Sequence, residues 1–207
     1  MRLLIAGAGG HGRVVADLAE LTGSWESIAF LDDGSPTGGL SGVWRIEGPL
    51  SELSRFRGTH SHFFAAFGDG QLRLDSLARA EAIGFTLATL LHPQAIVSRY
   101  AQIGEGSTAF GGAVVSHNAR LGKGCVVNTS ASVDHDCVLG DGVHVCPGAR
   151  LAGNVTIGNC VWIGIGASIK QGVSVGDRAT IGAGAVCVSD IRVGATVVGV
   201  PARERVK

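Results

Sequence analysis

Apolar side chains recur every six residues along the C-terminal half of this chain. From position 95 to position 202 the sequence divides into 18 blocks of six residues, such as VTIGNC, VSVGDR and ATIGAG, and the third residue is apolar in 17 of them. A period of six drifts around a helix of 3.6 residues per turn, whereas short strands separated by turns keep the same block position facing inward. The pattern therefore predicts a parallel β-helix with three blocks in each of six coils.

The first 91 residues break this rule and alternate between short apolar strands and amphipathic helices. The predicted strands are Leu3–Ala6, Ile28–Leu31, Phe63–Phe67 and Phe85–Leu90, and the predicted helices are Arg13–Leu21 and Leu72–Ile83. Residues 34–42 are rich in glycine and are predicted to form a loop. Alternating strands and helices indicate a parallel α/β sheet, and Pro93 marks its end. We expect an α/β domain over residues 1–91 and the β-helix over residues 92–207.

Composition narrows the class of protein further. The 45% hydrophobic content with 33 glycines fits a repeat-rich β architecture, and the zero net charge predicts no broad attraction to nucleic acid. No apolar run is long enough for a signal peptide or a membrane span. Cys125, Cys137 and Cys187 occupy inward repeat positions as small apolar fillers, and five cysteines do not suggest a disulfide framework. These features predict a soluble protein in a reducing cytoplasm.

A glycine-rich turn follows the first predicted strand. Gly7, Gly9 and Gly12 match the G-x-G-x-x-G pattern, in which glycines let the backbone approach a phosphate and the following helix offers free N–H groups. A domain of about 90 residues is half of a dinucleotide-binding fold, so a nucleotide carried by a sugar fits better than a hydride carrier. A tight turn that binds nothing is the alternative. The residues predicted to line this site are Gly9, Gly10, His11, Asp32, Asp33 and Gly68.

The repeat also predicts which residues stack, because positions 18 apart lie on successive coils. His117, His135 and Gly153 form one such column, with about 4.8 Å between neighbouring coils. The glycine is expected to leave a notch beside His135 in which a thioester could sit. A histidine titrating near neutrality can remove the proton from an attacking amine or hydroxyl, and either Asp134 or Asp136 could support it.

A second group of polar residues is expected on another face of the β-helix. Asn128 and His144 lie on adjoining coils there, a full side away from His135 within one chain. A threefold oligomer could bring a neighbour's His144 face toward the histidine. A site between subunits is therefore plausible from the spacing.

The stretch NTSASVDHDCVLG, residues 128–140, resembles the active-site segment of the bacterial sugar acyltransferases, which acetylate an amino group on a nucleotide-linked sugar or a sialic acid hydroxyl. The Gly-His-Gly turn within residues 7–12 and the ending at residues 199–202 are similar to that family as well. The resemblance implies a left-handed β-helix, with His135 as general base, Asp136 as the carboxylate that raises its basicity, and Asn128 as a residue lining the site. It further implies that acetyl-CoA lies near His144, Ile165 and Ala183, beside the notch at Gly153.

Taken together, these features predict a homotrimeric acetyltransferase that moves an acetyl group from acetyl-CoA to the amino group of a nucleotide-linked amino sugar, without a metal. An O-acetyltransferase acting on a sialic acid or related hydroxyl is the first alternative. A zinc enzyme resembling the γ-class carbonic anhydrases, for which three histidines would be needed, and a non-catalytic trimeric scaffold are the others. The nucleotide, the sugar and the pathway stay open at this level.

Overall fold

The computed structural model describes residues 1–205 and begins with an α/β domain. Its elements are β1 (Arg2–Ala6), α1 (Gly10–Leu21), β2 (Ser27–Leu31), β3 (Leu40–Ser41), β4 (Trp44–Gly48), a 3-10 helix (Leu50–Phe56), β5 (His62–Ala65), α2 (Gly70–Ile83) and β6 (Thr86–Leu87). They form one six-stranded sheet in the order β3-β4-β2-β1-β5-β6. The strands are parallel except that β3 runs antiparallel to β4, which confirms the predicted α/β class.

Alternation along β1 explains why this sheet is covered on both faces. Leu3 and Ile5 pack into one apolar cluster with residues of α1, whereas Leu4 and Ala6 pack into a second cluster with residues of α2. Successive side chains of a strand point to opposite faces, so one short apolar run supplies both cores. Both helices begin earlier than predicted, at Gly10 and Gly70, because each is preceded by a residue in extended conformation that acts as its N-cap.

Two predictions for this domain were wrong. The glycine-rich loop of residues 34–42 contains β3, and β4 follows this loop. The WRIEG sequence of β4 alternates between apolar and charged residues, which is a strand pattern, but it contains no apolar run from which a strand was predicted. The single strand expected at Phe85–Leu90 is divided into β6 and β7 (Leu90–Leu91), which belong to different sheets. Because β7 pairs with β10, a strand of the β-helix, the β-helix starts two residues before the boundary expected at residue 92.

The β-helix has three faces built from two-residue strands. The first face contains β7, β10 (Thr108–Ala109), β13 (Val126–Val127), β16 (His144–Val145), β19 (Trp162–Ile163), β22 (Thr180–Ile181), β24 (Thr196–Val198) and β25 (Arg203–Glu204). The second contains β8 (Ile96–Val97), β11 (Val114–Val115), β14 (Ser132–Val133), β17 (Arg150–Leu151), β20 (Ser168–Ile169) and β23 (Val186–Cys187). The third contains β9 (Gln102–Ile103), β12 (Arg120–Leu121), β15 (Val138–Leu139), β18 (Thr156–Ile157) and β21 (Ser174–Val175).

Stacking of successive coils places the apolar block positions in the interior. Partners on neighbouring coils are 18 residues apart, as Val127 is from Ala109 and from Val145. The third residues of the blocks from Ala109 to Cys187 are at most 5% exposed. All five cysteines are free, and the three at inward positions are buried. The predicted repeat and its interior column are therefore confirmed over this range.

The last coil departs from the repeat. Ile191 pairs with Val175, only 16 residues away, and Asp190 closes this shorter turn by accepting a hydrogen bond from the Ser174 N–H at 2.8 Å. Val193, predicted to face inward, is consequently 63% exposed. The prediction of an uninterrupted six-residue period was wrong at this end. Among residues 1–205, no helix is long and apolar enough to cross a membrane.

Candidate active site

A histidine and a carboxylate meet at the corner between the second and third faces. The Nδ1 atom of His135 lies 2.9 Å from Oδ2 of Asp136, and the Nδ2 group of Asn118, one coil below, donates to Oδ1 of the same carboxylate at 2.7 Å. Asp136 has a φ of +60°, a left-handed conformation that Asp and Asn tolerate better than most residues. The corner thus holds an Asn–Asp–His chain whose last member is an exposed imidazole.

Hydrogen bonding tunes the titration of this pair in opposite directions. The hydrogen bond with Asp136 raises the pKa of His135 above its ordinary value. The hydrogen bonds from Asn118 and from His135 lower the pKa of Asp136. Asp134 instead accepts a hydrogen bond from the backbone N–H of His135 at 2.8 Å. Of the two carboxylates considered for contact with the imidazole, Asp136 makes it.

Gly153 has a different part in this corner from the one expected. A Cβ atom built on Gly153 would lie 2.5 Å from both Cε1 and Nε2 of His135, so the imidazole itself occupies the space that the missing side chain leaves. The expected open notch for a thioester is therefore filled by the ring. His117 does lie one coil below, but its ring lies 5.0 Å from the ring of Tyr100.

The glycine-rich turn forms as the motif requires. A Cβ atom on Gly12 would lie 1.9 Å from the carbonyl oxygen of Gly7, and Gly7 has a φ of +95°, so both positions need glycine. Cβ atoms on Gly9 and Gly10 would meet nothing within 4 Å. Gly9 is the N-cap of α1 and provides no side-chain cap. The first turn of α1 therefore presents backbone N–H groups at an open surface.

Both acidic residues predicted at the nucleotide already hold backbone groups. Asp32 accepts hydrogen bonds from the Ala8 N–H at 2.8 Å and the Gly34 N–H at 3.0 Å. Asp33 accepts one from the Leu50 N–H at 2.7 Å. Burial opposes ionisation of Asp32, but these hydrogen bonds outweigh it, and its pKa is lowered. Each carboxylate oxygen has a second lone pair, so a role in nucleotide binding stays a prediction for both residues.

A second cluster lies where the α/β domain meets the first face of the β-helix. We call His11, Gly68, Asn128 and His144 the interdomain cluster. Nδ1 of His144 lies 3.4 Å from the Gly68 carbonyl oxygen, its Nε2 lies 3.3 Å from Nδ2 of Asn128, and its ring centre lies 5.9 Å from that of His11. The ring of Trp162 lies 4.5 Å from that of His144. The structure brings together four residues predicted from separate parts of the chain.

Burial makes this cluster resistant to protonation. His144 is 5% exposed, and burial, followed by the charges of Arg73 and His11, lowers its pKa to about 3. Burial and Arg73 lower the pKa of His11 as well. The Nε2 atom of His11 is buried and has no hydrogen-bond partner among residues 1–205. A buried polar atom without a partner is costly, and a ligand group could satisfy it.

The remaining residues predicted near acetyl-CoA lie on an exposed edge. Ile165 and Ala183 occupy the corner between the first and second faces on successive coils, where the Gly184 N–H donates to the Ile165 carbonyl oxygen at 2.8 Å. Asn128 lies on the same corner two coils earlier. His135 lies on a different corner. One chain therefore presents its candidate residues along two separate edges.

Two residues of these clusters were given no role from the sequence. The spacing of 18 places Asn118 in the column of Asp136, but it does not show that the amide donates to the carboxylate. The sequence gives a weaker indication for Arg73, which lies four residues before Leu77 and seven before Ala80, on the buried side of α2. A charged residue on the buried side of a helix indicates that it has a hydrogen-bond partner, but the sequence does not identify that partner.

The histidines considered for a zinc site do not converge. The imidazole of His135 packs against Gly153, and the ring of His117 lies near that of Tyr100. His144 is on another face of the β-helix. Within the described residues 1–205, no three His, Cys, Asp or Glu side chains are grouped so as to hold a metal ion.

Known protein families and structures match this chain over both domains. The family model described as the PglD N-terminal domain matches residues 2–79, and that described as bacterial transferase hexapeptide (six repeats) matches residues 154–188. The curated UDP-N-acetylbacillosamine N-acetyltransferase of Bacillus subtilis (strain 168) is 34% identical over 105 residues, which cover 50% of this chain and 48% of that protein. The match thus spans about half the length of this curated relative.

Two solved structures match over nearly the whole chain. The acetyltransferase domain of PglB from Neisseria gonorrhoeae FA1090, in complex with acetyl coenzyme A, is 43% identical, with a TM-score of 0.94 and coverage of 99% of this chain and 98% of that one. PerB from Caulobacter crescentus, in complex with CoA and GDP-perosamine, is 33% identical, with a TM-score of 0.94 and coverage of 100% and 98%. These matches confirm the resemblance and the fold, a Rossmann-like half-domain followed by a left-handed β-helix.

Proposed function

This chain belongs to the family of hexapeptide-repeat sugar acetyltransferases that includes PglB and PerB, and from that premise we propose that it transfers an acetyl group from acetyl-CoA to the amino group of a nucleotide-linked amino sugar. The observation that carries this proposal is the exposed imidazole of His135, 2.9 Å from the Asp136 carboxylate. Attack of an amine on a thioester releases a proton, and an imidazole of raised basicity is suited to accept it.

The order of events follows from which atoms of the imidazole are free. Asp136 accepts the Nδ1–H of His135, which leaves the Nε2 lone pair for the proton of the attacking nitrogen. The nitrogen forms a bond to the carbonyl carbon of the thioester, the carbon–sulfur bond breaks, and the imidazolium returns the proton to the departing sulfur. The carboxylate stabilises the imidazolium between these steps. General base catalysis of this kind contributes about 10²- to 10⁴-fold in rate.

We propose that the α/β domain binds the nucleotide. The first turn of α1 offers N–H groups and a positive dipole end at Gly9 and Gly10, where no side chain intrudes. A diphosphate suits this position. His11, in the same turn, has a buried Nε2 that needs a partner, and Gly68 belongs to the same interdomain cluster through its contact with His144. A ligand running from the turn toward this cluster would place its sugar near the β-helix.

We propose that the complete site lies between subunits of a homotrimer. Within one chain His135 lies on a different corner from Asn128 and away from the first face, which carries His144. A second copy is therefore needed to bring the base to a sugar held at the interdomain cluster. Ile165 is 58% and Trp162 is 39% exposed on the first face and its edge, which gives a neighbouring subunit or the pantetheine arm of acetyl-CoA an apolar surface. Acetyl-CoA would lie along this edge, past Ile165 and Ala183. Five free cysteines agree with a cytoplasmic location.

Mass spectrometry of reaction products tests the proposed chemistry. The purified protein is incubated with acetyl-CoA and a panel of nucleotide-linked amino sugars, and products are treated with hydroxylamine, which cleaves acetyl esters but leaves acetamides intact. We expect one panel member to gain a single hydroxylamine-resistant acetyl group. A hydroxylamine-labile product would favour the sugar O-acetyltransferase alternative, and no product from any amino sugar would contradict the proposal.

A further inference from the structure

Arg73 is buried at the contact between the two domains with no carboxylate partner. Its side chain is 0% exposed and is the largest among the fully buried side chains. Within residues 1–205 its side-chain hydrogen bonds all go to backbone carbonyl oxygens. Nε donates to Gly124 at 2.6 Å, Nη1 to Phe67 at 2.6 Å and Gly68 at 3.1 Å, and Nη2 to Gly142 at 2.7 Å and Val143 at 3.4 Å. No ion pair of Arg73 occurs within the part of the chain that the structure describes.

These contacts tie the loop after β5 to two successive coils. Phe67 and Gly68 belong to the α/β domain, whereas Gly124 and Gly142 are stacked one coil apart in the β-helix. A guanidinium has five N–H donors in a fixed plane, and here each has an acceptor. Burying a charge without an opposite charge is unfavourable, and a well-packed apolar side chain would often serve stability better. A role for Arg73 in orienting these carbonyl groups would account for an arginine at this position.

The Gly68 carbonyl oxygen links Arg73 to the interdomain cluster. This oxygen lies 3.1 Å from Nη1 of Arg73 and 3.4 Å from Nδ1 of His144. A carbonyl oxygen only accepts hydrogen bonds, so Nδ1 of His144 must carry the hydrogen and its Nε2 must present a lone pair. Nδ2 of Asn128 then donates to that lone pair at 3.3 Å. The Asn128 Oδ1 accepts from the Thr129 N–H at 2.8 Å, which fixes the orientation of the amide.

The charge of Arg73 acts in the same direction as its hydrogen bonds. The groups that face His144 are Arg73 from α2, His11 from α1, the Gly68 carbonyl oxygen, Asn128 after β13 and Trp162 from β19. Arg73 and His11 are cationic or can become so, and the Asp69 carboxylate and the Arg178 guanidinium line the pocket beside His144. Burial, followed by the charges of Arg73 and His11, holds His144 neutral, and the Gly68 oxygen selects one tautomer.

We infer that Arg73 is a positioning residue for the acetyl transfer: through the Gly68 carbonyl oxygen it selects the Nδ1–H tautomer of His144 and thereby orients Asn128 toward the substrate. This inference rests on the proposed function, because the orientation matters only if Asn128 and His144 line the site. The hydrogen bonds of Arg73 also join the loop after β5 to the β-helix. The side chain itself does not touch the reacting atoms.

The test uses Arg73→Lys and Arg73→Met, with Arg79→Lys as the matched control. Arg79 lies on the same helix, is exposed, and donates to the Ser51 carbonyl oxygen at 2.8 Å. In Arg73→Lys a single ammonium cannot reach all three carbonyl directions, so we expect kcat to fall about tenfold or more, in the range of catalytic misplacement effects. Arg79→Lys should leave kcat and both KM values unchanged. Equal kinetics for Arg73→Lys and the wild type would overturn the inference.

Imidazole 15N chemical shifts of His144 provide a readout that does not depend on activity. In the wild type the shifts should report a neutral ring with hydrogen on Nδ1 from pH 5 to pH 8, and in Arg73→Met they should report a tautomer mixture. Wild-type shifts that place the hydrogen on Nε2 would overturn the inference even if both Arg73 variants failed to fold. If the wild type acetylates no amino sugar, the proposed function is contradicted. The 15N shifts of His144 still test the predicted tautomer independently of that outcome.

Discussion

His135, Asp136 and Gly153 form the corner of the β-helix on which the proposed chemistry depends. His135 lies above His117 and below Gly153, because residues 18 apart are stacked on successive coils. Asp136 turns toward the imidazole since its backbone adopts a left-handed conformation, and Gly153 accommodates the ring instead of leaving a gap.

Replacing Asp136 with asparagine should invert the hydrogen bond to His135. Asn118 donates to Oδ1 of Asp136, so in Asp136→Asn the amide oxygen would stay with Asn118 and the amide NH2 would face Nδ1 of His135. The imidazole would then carry its hydrogen on Nε2 and could not accept a proton there. We expect kcat to fall by roughly 10²- to 10⁴-fold. The measurement is steady-state acetyl transfer.

The pH profile of the same variant gives a second, signed outcome. The hydrogen bond that His135 donates to Asp136 raises the pKa of His135. A general base works only when unprotonated, so the rate should rise with pH through this raised value. In Asp136→Asn the rising limb should move to lower pH. Asp134→Asn, in which an amide oxygen can still accept from the His135 N–H, should shift the limb less. An unchanged profile in Asp136→Asn would refute the assigned pair.

Because His144 is buried and neutral, we expect the free energy of unfolding to decrease at acid pH. The pKa of His144 is about 3 in the folded chain and about 6.5 when unfolded. The unfolded chain therefore binds more protons between these values, and stability is lost as pH falls through this window. Between pH 7 and pH 5 the wild type should lose about 2 kcal/mol more unfolding free energy than His144→Gln. Urea unfolding at both pH values measures this, and equal losses would contradict the buried neutral state.

At the scale of elements, the coils were predictable and the last one was not. Each block of six repeats the same inward position, so the sequence alone predicts the strands and the buried column from Ala109 to Cys187. The shorter final coil depends on Asp190 closing a turn with the Ser174 N–H, a side-chain contact that no periodicity encodes. The strand β4 was missed because two of its five residues, Arg45 and Glu47, are charged and interrupt any apolar run.

The corner that holds His135 yields a prediction about its supporting coil. In Gly153→Ala the added Cβ would lie 2.5 Å from Cε1 and Nε2 of the imidazole. The ring is the far end of a side chain on an exposed turn, so it can move away without disturbing the coil. We expect kcat to fall about 10²-fold, while the midpoint of thermal unfolding changes little.

Gln171→Ala is the matched control for this coil. Gln171 lies next to Gly153 in the same column, one coil further on, and is exposed. Gln171→Ala should have the kcat and the thermal unfolding midpoint of the wild type. If Gly153→Ala kept wild-type kcat, the imidazole would not need its position against residue 153.

At the scale of the whole molecule, the packing of the two domains could not be read from the sequence. Hexapeptide spacing locates His144 on the first face and Asn128 at its edge, and the glycine-rich turn locates His11 at the start of α1. Neither pattern predicts that His144 meets the Gly68 carbonyl oxygen or that Arg73 donates to the same oxygen. That contact depends on a buried guanidinium whose acceptors are backbone atoms, which carry no sequence signature. The proposed trimer is likewise an inference from the separation of two edges in one chain.

Subunit mixing tests the central claim, that His135 of one chain serves a sugar nucleotide held by another. His135→Ala lacks the base, and Gly10→Glu places a carboxylate where the phosphates should bind without a clash in the fold, since a Cβ there meets nothing within 4 Å. Each variant alone should be inactive. Unfolded and refolded together in equal amounts, they should recover about one quarter of the wild-type acetyl transfer, the fraction of neighbouring pairs that combine two intact halves in a ring. An inactive mixture of properly assembled trimers, or substantial activity of His135→Ala alone, would contradict the account.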